Sequence, residues 1–180
     1  LNRKHQSGLS ERRLQSLFEA FSFMTIQAGH RRTLTDNQFN ECFESALKFS
    51  DGIQCEVEGF RHDITKAACL MLEDGIDSIT YLHKSILEYY AAAFVRRLSD
   101  SNAELFYRSA IAKSHPWRET LVFLKAIDSI RHSRYYVIPV IDRDFADIVT
   151  PAKPLEARNL VGFISEFYRD LGVYYLRTDD

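Results

Sequence analysis

The sequence predicts a mainly α protein with a minimal β element. Apolar residues recur at three- and four-residue intervals over most of the 180 residues, the spacing of a helix face. Chain breakers are scarce, with 7 Gly and 4 Pro against 13 Phe and 9 Tyr. Few breakers among many large side chains favour packed helices over a turn-rich β fold. Only the short run at residues 77–82, DSITYL, has the β-branched and aromatic content of a strand.

Ser10 is placed to cap a first helix, with Leu14, Leu17, Phe18 and Phe21 at i, i+3, i+4 and i+7. Gly29 is its stop signal, followed by His30, Arg31 and Arg32. Thr35 opens T-D-N-Q, a capping-box pattern closed by Gln38, ahead of the stripe Phe39, Cys42, Phe43, Ala46 and Leu47. Asp51-Gly52 signals a turn. A third helix carries Ile64, Ala67, Ala68, Met71 and Leu72 on one face until Asp74-Gly75 breaks it. Beyond the strand, a fourth helix turns Ile86, Tyr89, Tyr90, Ala93 and Phe94 inward. It holds Arg96 and Arg97 near its C-terminal end, where cations suit the helix dipole. Glu88 in mid-helix needs an Arg or a backbone donor if it is buried.

Three helices, a short strand and another helix suggest a winged-helix-like domain over residues 1–98. The polar break from Ser99 to Ser101 marks the boundary with a helical extension, residues 99–180. There Leu105, Phe106 and Ala110 mark one helix. Pro116 suits the first turn of another, running through Trp117, Leu121, Leu124 and Ile127. Residues 134–150 read either as extended chain or as a buried loop. Pro151 and Pro154 punctuate. A last helix carries Leu160, Phe163, Ile164, Phe167 and Leu171 and stops at Gly172.

The formal net charge is -2, with 12 basic and 14 acidic residues in 1–100 and 11 of each in 101–180. Neither half is basic, so bulk charge offers no case for nucleic acid. No run of about 18 apolar residues suggests a membrane span, and no signal-peptide pattern is present. Cys42, Cys55 and Cys69 are odd in number and lack metal spacing, which suits reduced thiols and a cytoplasmic setting. The chain begins with Leu1 rather than Met, and its polar opening reads as a loop entered from upstream.

There is no GxxxxGK[ST], GxGxxG or GxSxG pattern. His62 and Asp63 are adjacent, and neighbours on a helix point to different faces, so they make a poor proton relay. His83 sits where the strand gives way to the fourth helix. There a histidine can cap the helix, pack into the core, or present an N–H to an anion beside the helix dipole.

Residues 79–95, ITYLHKSILEYYAAAFV, resemble the motif that closes the winged-helix domain of NACHT-family STAND NTPases, [FY]-[FVIL]-H-x-[ST]-x-[QL]-E-[YF]-x-A-A. Tyr81, Leu82, His83, Ser85, Glu88, Tyr89, Ala91 and Ala92 match. Leu87 stands where the family usually has Gln, which leaves a polar contact there open. DITKAACLMLEDG resembles the family's helix before the wing, GLSERRLQSLFEAFSFMTIQ its opening segment in bacterial members, and WRETLVFLKAIDSIRHSRYY a later helical stretch. The resemblance implies a regulatory, autoinhibitory module. In such proteins ADP is held between a nucleotide-binding core and the winged helix, whose histidine contacts the ADP phosphate. ATP exchange and a trigger then release an oligomer, and bacterial members are associated with antiphage defence.

On this resemblance His83 is the ADP-contacting residue, with Tyr81, Glu88, Tyr89 and Ala92 as structural members of the motif. The expected partners are the nucleotide-binding core of the same protein, other copies on activation, and a trigger the sequence does not name. ADP or ATP would belong to the whole protein, with no catalysis, cofactor or metal in this chain. A DNA-binding winged helix is the alternative, encouraged only by Arg12, Arg13, Arg31, Arg32 and Arg61, while the third helix carries Asp63, Lys66, Glu73 and Asp74 rather than clustered Lys or Arg. A stand-alone enzyme finds no constellation to support it.

Overall fold

The computed structural model describes residues 5–50 and 52–145. They are mainly α-helical with one small three-stranded antiparallel sheet of order β1-β3-β2. The described residues up to Ile138 form one compact unit. The expected helix with Leu160 to Leu171, and the prolines at 151 and 154, lie outside the described residues.

Helix α1 (Glu11–Gln27) buries Leu14, Leu17, Phe18 and Phe21, as its period requires. It ends where Gly29 takes φ 80° and the amides of Gly29 and His30 reach back to the carbonyls of Ile26 and Thr25, at 2.9 and 3.0 Å. Only a residue without Cβ adopts that turn freely. Helix α2 (Asp36–Lys48) begins with the full capping box. Gln38 N–H donates to Thr35 Oγ1 (3.3 Å), and Thr35 N–H donates to Gln38 Oε1 (2.9 Å). Phe39, Cys42, Phe43 and Ala46 face inward.

The expected third helix does not run to Leu72. Helix α3 (Val57–His62) passes into a π turn, Asp63–Ala67, and stops there. Cys69 lies at φ 53°, the left-handed region in which no helix continues. Met71 and Leu72 instead belong to β2 (Met71–Glu73), Met71 buried and Leu72 turned outward. Helical and extended periods both place Met71 inside, so the residues alone do not separate them. β2 pairs with β3 (Ser78–Tyr81) in the register Met71↔Tyr81, across a turn in which Gly75 takes φ 79°. The single expected strand therefore gains two partners, the other being β1 (Thr33–Thr35), paired as Leu34↔Ile79.

Helix α4 (Lys84–Arg97) lies against α1. Its buried face is Leu87, Glu88, Ala91, Ala92 and Val95. The expected inward set was rotated from this. Tyr90 and Phe94 are half-buried, and Tyr89 is 43% exposed. The helix is apolar around most of its circumference, so periodicity does not choose a face. The elements packed around it do, covering Leu87, Ala91, Ala92 and Val95 completely or nearly so.

The break at Ser99 is a turn between α4 and α5 (Asp100–Ala112), with Ser99 Oγ capping at Asn102 N–H (3.4 Å). A 3-10 turn at His115–Trp117 leads into α6 (Arg118–Ile127), and α7 (Ser129–His132) follows. Phe106, Tyr107, Trp117, Leu121 and Leu124 join the same core as α1 and α4. Residues 134–145 are neither extended nor loop: a π turn, Ser133–Val137, precedes α8 (Ile138–Phe145).

Phe60 sits at the centre of the α1–α3 side of the core, fully buried and 5.2–6.5 Å ring to ring from Phe18, Phe21, Phe39 and Phe43. Phe60→Ala should cost about 3–5 kcal/mol in urea unfolding. A loss below about 1 kcal/mol would mean this cluster does not hold the fold.

Asp63 is a fully buried carboxylate in the π turn. It accepts from Gln6 N–H (2.7 Å), Ser7 N–H (3.2 Å) and Ser7 Oγ–H (2.5 Å), and the rings of His5 and His62 lie 3.2 Å away. Gly59 makes room for this segment, since a Cβ there would lie 2.8 Å from Ser7 Cα. Burial alone would raise the Asp63 pKa. The donors, Ser7 Oγ first, outweigh it and hold the carboxyl at about 2, against an ordinary 3.8. With a folded pKa below the unfolded one, the stabilisation is complete above about pH 4 and is lost as pH falls through about 2, amounting to about 2 kcal/mol. Asp63→Asn should therefore be less stable than wild type by about that much at pH 7, with the gap closing towards pH 2. A gap independent of pH would contradict this role.

Candidate functional site

The residues of the resembling motif meet at the corner where β3 becomes α4. Tyr81, the last residue of the strand, is fully buried, with its hydroxyl 3.3 Å from Ser22 Oγ and 3.4 Å from Thr25 Oγ1 of α1. Burial pushes its pKa far up, so it stays a neutral hydrogen-bonding group. Arg32 then fastens the corner from outside. Its Nε–H donates to Tyr81 O (2.8 Å), its Nη2–H to Leu82 O (3.0 Å), and its own carbonyl accepts from Tyr81 N–H (2.9 Å). Leu82 N–H donates to Leu70 O (3.0 Å). The chain is thus committed in direction before His83.

His83 is exposed and is the N-cap of α4, with extended φ and ψ of -142° and 147°. Its Nδ1 accepts from Ser85 N–H (3.2 Å) and lies 2.7 Å from Ser85 Oγ. An acceptor nitrogen carries no proton, so this cap puts the ring proton on Nε2. No described residue bonds to Nε2. The corner therefore offers one outward N–H at the positive end of a 14-residue helix. This arrangement can donate to an anionic oxygen. Among the described residues no group of three or more His, Cys, Asp and Glu could hold a metal ion.

The other motif residues divide. Ala92 is fully buried. Glu88 is buried, but its partner is neither an arginine nor a backbone donor. Lys84 Nζ, one turn earlier, lies 3.0 Å from its Oε1. Tyr89 points outward, edge-on to Tyr90 and Phe123 at 5.5 and 5.7 Å. His62 and Asp63, judged too divergent to meet, do touch at 3.2 Å in the π turn, yet as part of the Asp63 clamp. Sequence reading missed Arg32, which looked like one of a basic run after a helix. Its partners are backbone carbonyls, which leave no trace in residue type. Burial pushes the Cys42 and Cys55 thiols up, so neither is a ready nucleophile.

No protein-family model, curated protein or solved structure matches this chain.

The cap separates two roles of His83. His83→Ala should destabilise the protein by about 0.5–2 kcal/mol, whereas His83→Asn, a good N-cap, should stay within about 0.5 kcal/mol of wild type. Equal losses in the two variants would show that the imidazole is not acting as a cap.

Proposed function

We propose that this chain is the regulatory, non-catalytic winged-helix and helical part of a NACHT-type STAND NTPase, serving in bacterial antiphage defence. In this reading His83 Nε2–H donates to a phosphate oxygen of ADP held by the nucleotide-binding core of the same protein, and so favours the closed, resting state. The single observation that supports it most is the outward Nε2–H at the start of α4, inside the residues that resemble the family motif.

The rival DNA-binding reading is weakened by charge. The hairpin of β2 and β3, which would be the wing, carries Glu73, Asp74 and Asp77 around an exposed Ile76. Three acids at a wing tip repel phosphates.

The test uses the intact protein. One hydrogen bond to a charged group contributes roughly 1.5–3 kcal/mol, so His83→Asn should weaken ADP retention by about one to two decades. Basal oligomerisation should rise, because a ligand that prefers the closed state is held less well. Asn is the informative replacement, since it keeps the cap and removes the reach of the ring. Unchanged ADP affinity and an unchanged resting state would leave His83 as a helix cap and nothing more.

A further inference from the structure

Residues 5–9 form a strap that lies against α3 at Gly59 and against the π turn that follows. His5, Gln6 and Gly8 are exposed, and one side chain of the strap, Leu9, enters the core. Its hold on the turn is polar and converges on the carboxylate of Asp63, through Gln6 N–H, Ser7 N–H and Ser7 Oγ–H. Gly8, at φ 69°, turns the chain from that grip towards α1, and Leu9 N–H donates to Ser7 Oγ (3.2 Å).

The turn that the strap grips has two hydrogen-bond registers open to it. In the π register Ala68 N–H donates to Asp63 O (2.7 Å), and Ile64 O accepts instead from Leu70 N–H (2.8 Å). An α register would bring Ala68 N–H to Ile64 O, the acceptor that Leu70 now uses, and swing the following residues about the helix axis. Leu70 matters beyond the turn. Its carbonyl accepts from Leu82 N–H (3.0 Å), and Leu82 is the residue before His83. Ile64 O thus stands between a form that supports the β3–α4 corner and one that releases it.

We propose that the strap is a latch. By fixing the Asp63 side chain it selects the π register, and through Leu70 it sets the order of the corner that presents His83. Lifting the strap leaves a buried charge short of donors, and the turn relieves that charge by carrying Asp63 towards solvent. Strap and corner then bias the same two-state element, which is the physical basis of the coupling. The latch acts on the geometry of the corner whether or not His83 meets a phosphate, so it does not depend on the NACHT reading.

Amide hydrogen exchange, followed residue by residue by NMR, tests this in wild type, Gly59→Ala and Ser7→Ala. Gly59→Ala puts a Cβ 2.8 Å from Ser7 Cα and displaces the strap without altering Asp63 or the corner. Ser7→Ala removes the hydroxyl that donates to Asp63. Both should speed exchange at Leu70 and Leu82 by about tenfold or more. Ser85 should follow, because its amide is held by His83 Nδ1. The Asp128 amide, held by Leu124 O of α6 at 2.8 Å, should change by less than about twofold. Unchanged exchange at Leu70 and Leu82 in Gly59→Ala would overturn the proposal. So would an equal acceleration at Asp128, since the whole fold and not the corner would then have loosened. Should Gly59→Ala fail to fold, Ser7→Ala decides by the same two outcomes.

Discussion

The geometry of the β3–α4 corner depends on the packing of α4 on α1, where Tyr90, Phe94 and Arg97 meet Phe18, Phe23 and Glu19. Aromatic residues of the two helices fill this interface. Phe18 meets Tyr90 edge-on at 4.8 Å, and Phe23 meets Phe94 at 4.8 Å. Tyr81 is then carried into the same layer, 5.8 Å from Phe18, where its hydroxyl finds Ser22 and Thr25.

Both ends of α4 are also gripped by arginines that belong to other elements. Arg32 holds the carbonyls just before its start. Arg131 holds its end, donating to the carbonyls of Arg96 (2.6 Å) and Leu98 (3.0 Å) while Asp128 fixes the guanidinium at 2.9 Å. Asp128 also receives the hydroxyl of buried Tyr107, whose pKa is raised by burial first and then by that carboxylate. Both guanidiniums thus satisfy backbone carbonyls at the two ends of the helix. This is what ties α5 to α7 into one unit with α1 to α4.

The legible parts of the fold were those governed by local chemistry. The Thr35–Gln38 capping box, the Gly29 stop, the first two helix faces and the strand at Ile79 to Tyr81 all depend on residues within a few positions of one another. What escaped depended on distant partners. β1 and β2 are three residues each and exist because β3 lies between them. The third helix was drawn too long because Met71 is inward in either period, and the left-handed turn at Cys69 has no glycine to announce it. The buried face of α4 is set by the elements packed around it, and a helix apolar on most sides carries no local sign of which face that is. At the candidate site, the junction position of His83 was readable. The cap that fixes its tautomer, and Arg32 behind it, were not.

The fold itself presents His83 as an outward Nε2–H donor. The direct measurement is a long-range proton–nitrogen correlation spectrum of the imidazole in the folded protein, at a pH where the ring is neutral. Nδ1 should be pyridine-like, bare and accepting from Ser85, with a pyrrole-like, protonated Nε2. A protonated Nδ1 with a bare Nε2, or rapid averaging between the two, would contradict it.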